Sequence, residues 1–132
     1  MFVVMITLVL MALAPPRSEG QIDAPKILVG KWEGQIQVSR TVSPFPDRTL
    51  AIKSVREQEG KWLVEARFGV TGRRLEPVDV TLKVVGEELT LHFRTSAGAD
   101  VKLSLYKKEY LDGFYLFPGA GAERPIRLKK AE

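Results

Sequence analysis

Across residues 31–130 the chain alternates apolar and polar residues with a period of two, and no stretch of helical length with a period near 3.6 interrupts it. Successive side chains of a strand point to opposite faces, so this pattern demands strands with one dry and one wet face. Trp62, Val64, Ala66, Phe68 and Val70 fall on one face, and Leu63, Glu65 and Arg67 on the other. Val78, Val80, Leu82 and Val84 oppose Asp79, Thr81 and Lys83 in the same way. Leu89, Leu91 and Phe93 oppose Thr90, His92 and Arg94. Eight strands are predicted, near 32–40, 49–57, 61–70, 78–84, 89–95, 101–107, 110–117 and 125–130. Strands of this kind make an antiparallel sheet wrapped over a core.

The connections separate into two kinds. Those at 58–60, 85–88 and 108–109 are tight, whereas those at 41–47, 71–77, 96–100 and 118–124 are longer. In an up-and-down meander alternate connections share an end, so a trimmed base and an elaborated mouth are expected. Eight strands close such a sheet without leaving an edge. The expected fold is therefore all-β, an eight-stranded antiparallel up-and-down β-barrel. A two-sheet β-sandwich is the alternative; its crossings would not call for alternating connection lengths. A barrel of eight strands either fills with side chains or holds one small ligand, and the sequence leaves both outcomes open.

Residues 1–20 are read as a signal peptide and 21–132 as the barrel domain. The apolar run from Phe2 to Ala14 is short for a membrane span of about 20 residues but suits a signal core. No basic residue precedes it, and Pro15 disfavours a cut after Ala14, so Ser18-Glu19-Gly20 is the expected cleavage site, before Gln21. The implied location is exported, periplasmic or secreted, with no membrane span in the mature chain. The 132 residues contain no cysteine, which excludes disulfides, thiol nucleophiles and a cysteine-linked acyl anchor. Net charge is +4, which permits an anionic partner without requiring nucleic acid.

At the head of the first predicted strand stands Gly30-Lys31-Trp32. It resembles the Gly-x-Trp signature of the calycin superfamily, which includes lipocalins, fatty-acid-binding proteins and avidins. The resemblance spans about residues 27–130, mainly as strand number and order, and implies a lipocalin-like barrel. It also implies structural roles for Gly30, Trp32 and Arg127, with Trp32 at the closed base and the last-strand Arg127 packed over it as a cation–π contact. The chain departs from lipocalins in being shorter and in lacking a Thr-Asp-Tyr motif. With only Trp32 and Trp62, it lacks the tryptophans of an avidin pocket.

No catalytic residue, metal site or cofactor is expected, and the chain is read as non-enzymatic. His92, the only histidine, falls on a polar face. No nucleophile elbow, phosphate loop or dinucleotide fingerprint is present. Apolar residues occupy both faces of 110–117, which leaves the orientation of Asp112 open. The site is expected at the mouth. Phe45, between Pro44 and Pro46, would act as a lid, above inward Val38, Leu50, Phe68, Val70, Phe93, Val101 and Leu116. Arg73 and Arg74, with Arg40, Arg48 and Arg124, would form a rim suited to carboxylate or phosphate. The expected ligand is a small apolar or anionic amphiphilic molecule. The alternative is a solid-cored barrel that meets a protein partner, as an interaction or inhibitor module, through its mouth loops. Nucleic acid is not expected, because no aromatic platform is visible on the polar faces.

Overall fold

The structure is a computed structural model that describes residues 22–37, 47–119 and 123–131. The region read as a signal peptide, and Val38 and Phe45, lie outside the described residues. One short helix, α1 (Ala24–Leu28), precedes β1 (Gly30–Ile36), β2 (Arg48–Gln58), β3 (Lys61–Val70), β4 (Glu76–Asp79), β5 (Thr81–Val85), β6 (Glu88–Arg94), β7 (Asp100–Tyr106), β8 (Tyr110–Leu116) and β9 (Glu123–Lys130). The strands form one antiparallel sheet in the order β4-β3-β2-β1-β9-β8-β7-β6-β5. First and last strands pair, Trp32 opposite Lys130. The sheet's two ends, β4 and β5, are joined through Val80 alone. The result is a nearly closed antiparallel barrel, compatible with a calycin-like fold.

Eight strands were expected and nine form because the fourth breaks at Val80. Its first part pairs with β3, Ala66 opposite Val78, and its second with β6, Leu82 opposite Leu91. One bent segment thus serves both neighbours. A second irregularity shifts the β2–β3 register between Ile52 and Ser54. The extra residue of such a bulge changes which positions face inward, so Val55 rather than Ser54 follows Ile52 into the core. Tight turns at 59–60, 86–87 and 107–109 fall at one end, and the longer connections at the other.

The short helix closes the base. Asp23 caps it by accepting from the Lys26 amide, and Pro25 sits in its first turn, where a proline costs no hydrogen bond. Ala24 and Leu28 are fully buried. The Trp32 indole Nε1 donates to the Leu28 carbonyl at 2.9 Å, and the Lys130 ammonium donates to the carbonyl of Ile27. The Ile22 amide donates to Gly86 O at 3.1 Å and ties the segment across the base.

Two glycines make the sheet's sharpest approaches. A β-carbon on Gly34 would lie 1.8 Å from the Arg127 carbonyl oxygen, and one on Gly113 would lie 1.7 Å from that of Lys102. Only glycine lets a strand approach its neighbour this closely. Gly34→Ala should therefore prevent folding or cost about 3 kcal/mol or more, since the obstructing atoms are backbone and cannot rotate away. Urea unfolding checks this; a midpoint equal to that of the parent chain would mean that β1 and β9 can separate without penalty.

Candidate functional site on the outer wall

The expected lining fills the barrel with itself. Leu50, Phe68, Phe93 and Val101 are buried, as expected for inward positions. The Phe68 ring meets Phe93 edge-on at 5.0 Å and Tyr115 at 6.4 Å, and Tyr115 meets Phe117 at 4.8 Å. Edge-to-face pairs at such distances are favourable packing contacts. They occupy the mouth-proximal layer where an apolar cup was expected. Val70 and Leu116 do not line a cup. Val70 is the last residue of β3, one alternation beyond Phe68, and is 40% exposed. Leu116 falls on the outward parity of β8, because Leu111, Gly113 and Tyr115 take the inward one. Arg73 and Arg74 stand exposed in the connection between β3 and β4.

The contact expected of Arg127 is made by a neighbour on the same strand. Arg127 points outward, and Lys130 places its ammonium 5.1 Å from the centre of the fully buried Trp32 ring. Parity explains the exchange: Ile126, Leu128 and Lys130 share the inner face of β9, which leaves Arg127 and Lys129 outside. Burial lowers the Lys130 pKa from the ordinary lysine value. Gly30 opens β1 with φ 138°, two residues before the fully buried Trp32.

A surface cavity of about 840 Å³ lies outside the barrel, across β8, β9 and β1. Three rows of paired residues build its surface. Tyr110, Lys129 and Glu33 form the row nearest the base; Asp112, Arg127 and Gln35 form the next. Phe114 and Pro125 stand toward the mouth with Gln37, whose amide donates to Pro125 O at 2.9 Å. Gly34 and Gly113 contribute bare backbone.

The middle row is an organised ion pair. Arg127 donates through Nε and Nη2 to the two carboxylate oxygens of Asp112, each at 2.7 Å. Its guanidinium lies 4.5 Å from the Tyr110 ring centre and 5.6 Å from that of Tyr106. The Asp112 carboxylate holds the Arg127 pKa above the ordinary arginine value. A two-point bond with a stacked face fixes orientation more than it adds stability at an exposed site. The groove is thereby divided. Phe114 and Pro125 make an apolar half toward the mouth, and Lys129 with Tyr110 makes a cationic half toward the base, bordered by Glu33; the Lys130 ammonium is turned inward to Trp32 and Ile27 O.

The sequence did not suggest this site. Tyr106, Tyr110 and Phe114 form an aromatic strip on the outer face, with Tyr106 45% and Phe114 50% exposed. One signal was present: Gly113 between Asp112 and Phe114 marks a close approach, whereas the parity that turns Asp112 outward comes from the pairing of β8 with its neighbours. No family model matches the chain, and no curated protein matches it.

Far from the groove, Asp100 lies 3.4 Å from Arg94 Nε and 3.5 Å from His92 Nε2. The hydrogen bond from Arg94 holds its carboxyl below the ordinary aspartate value of 3.8, with a smaller contribution from His92. A depressed carboxyl stabilises the fold above its unfolded pKa and loses that contribution as pH falls through the folded value. Asp100→Asn should thus lower the unfolding midpoint slightly at neutral pH and approach the parent chain in acid well below the ordinary aspartate value. Urea titrations at both pH values measure this; a deficit of equal size at both would show that the charge is not its source.

Proposed function

We propose that this chain is an exported, lipocalin-like, non-enzymatic binding protein. Its ligand is a small anionic amphiphile, taken up on the outer wall rather than in the barrel. The observation that carries this reading is the groove's division into an apolar and a cationic half, with a volume of about 840 Å³ in the range of small-molecule sites. The apolar part of the ligand lies along Phe114, Pro125 and the bare backbone at Gly113. Its carboxylate or phosphate meets Lys129 and the Arg127 Nη1 edge left outside the Asp112 pair. Asp112 acts by holding Arg127 in place, and Glu33 sets the polar border opposite Lys129.

The filled interior supports a second reading, a protein-interaction module. A solid barrel is a rigid scaffold, and the exposed Phe114 and Tyr106 suit burial by a partner. The two readings differ in what occupies the groove.

Native mass spectrometry with a fatty acid series, together with displacement of an anionic fluorescent probe, tests the ligand. Phe114→Ala and Lys129→Glu are each expected to weaken binding about tenfold, the loss of one apolar or one charged contact, with melting temperatures little changed. Arg73→Glu with Arg74→Glu should leave binding intact. Binding that survives both groove variants and falls with the arginine pair would return the site to the mouth.

A further inference from the structure

The base of the barrel is electrically divided. Its β5–β6 turn carries Glu87 and Glu88, whereas at its β2–β3 turn Glu57 and Glu59 are balanced by Arg56 and Lys61. The corner built by α1, the β7–β8 turn and the end of β9 carries Lys26, Lys107, Lys108 and Lys129, above Lys130, whose ammonium is turned inward to Ile27 O and Trp32. A second cavity of about 590 Å³ opens there among Lys26, Ile27, Lys108, Glu109 and Lys130, with Glu109 its single acid. The helix cap Asp23 accepts from the Lys26 amide at 3.4 Å, and its neighbour Ile22 is bonded to Gly86. Lysines thus gather at this corner of the base, with the acidic β5–β6 turn at another part of the same end.

The β7–β8 turn holds its lysines against a backbone preference. Lys107 and Lys108 have φ of 54° and 59°, and Glu109 closes the turn by donating its amide to Tyr106 O at 3.2 Å. Two consecutive positive φ values suit Asn-Gly and strain residues with longer side chains. Beside the turn, Tyr106 exposes nearly half its surface, with the Lys107 ammonium 5.3 Å from its ring centre. An exposed tyrosine set among flexible lysines is the composition of a protein surface that lies in a lipid interface. Its ring sits at headgroup depth while the ammonium groups reach anionic phosphates.

We propose that this lysine corner, with Tyr106, docks the barrel on an anionic lipid bilayer. Glu87 and Glu88 of the β5–β6 turn are repelled by the same surface, which sets the angle of approach. This docking stands on the base lysines and does not require the groove to take up a ligand, although Lys129 and Lys130 border both.

The test is co-sedimentation of the full chain with vesicles of phosphatidylcholine alone, and of phosphatidylcholine with one third phosphatidylglycerol. The apolar run from Phe2 to Ala14 contributes equally to both, so the difference reports the lysines. Preferential binding to the anionic vesicles that weakens with added salt is expected. Lys107→Asn with Lys108→Gly should reduce that binding about tenfold while raising the melting temperature, because the turn is relieved. A loss of binding with unfolding is thereby distinguished from a loss of charge. Equal binding to both vesicle types, or unchanged binding by the turn variant, would overturn the proposal. So would equal affinity for soluble glycerol phosphate, or capture of a single-stranded oligonucleotide without vesicle binding.

Discussion

The approach of β1 to β9 at Gly34 and of β8 to β7 at Gly113 is the constraint on which the rest of the structure depends. At both places a neighbouring carbonyl occupies the space of a side chain. The two glycines fix which parity of β1 and β8 faces the core, and Trp32, Ile36, Leu111 and Tyr115 follow inward. Everything of the other parity is placed on the outer wall, including Asp112, Phe114 and Gln35. The same positions that let the sheet wrap therefore bring the aromatic strip and the Asp112–Arg127 pair side by side.

Closure in turn decides where binding can occur. Trp32, Leu28, Leu111 and Leu128 are fully buried, and Phe68, Phe93 and Tyr115 pack on one another toward the mouth. Interiors of this kind are close-packed and felt at the level of a single methylene. Admitting a ligand would mean displacing aromatic rings that already satisfy each other. The cavities on the outer wall and at the base corner lie where the packing stops, and Lys130 borders each. Its inner face meets Trp32 and its ammonium holds the helix that closes the base.

Alternation made the barrel legible. Where one parity is apolar and the other polar, as in β3 and β6, the inward residues are those that the sequence predicts. It failed where a strand carries apolar residues on both faces. In β8 the burial of Leu111 and Tyr115 could be weighed only against Tyr110, Phe114 and Leu116, and nothing local ranks them. Register against β9 settles it, and register is a property of pairs of strands. The same limit explains Arg127. An arginine opposite Trp32 fits the resemblance to calycins, but the pairing places Lys130 there. The helix escaped notice because five residues carry too little periodicity, although Asp23 and Pro25 are its start signals. Val80 escaped because a strand that changes partners looks continuous in sequence.

The central claim is that the interior is scaffold and the outer wall binds. A fatty acid bearing a nitroxide label on its chain, titrated into methyl- and aromatic-labelled protein, tests this most directly. Signals within reach of the label broaden, so the spectrum names the face the ligand occupies. The account predicts broadening at Phe114, Tyr110 and the Ile126 backbone, with the methyl groups of Leu50, Leu103 and Leu89 unaffected. Broadening of those interior methyls, with Phe114 unchanged, would place the ligand inside the barrel and contradict it.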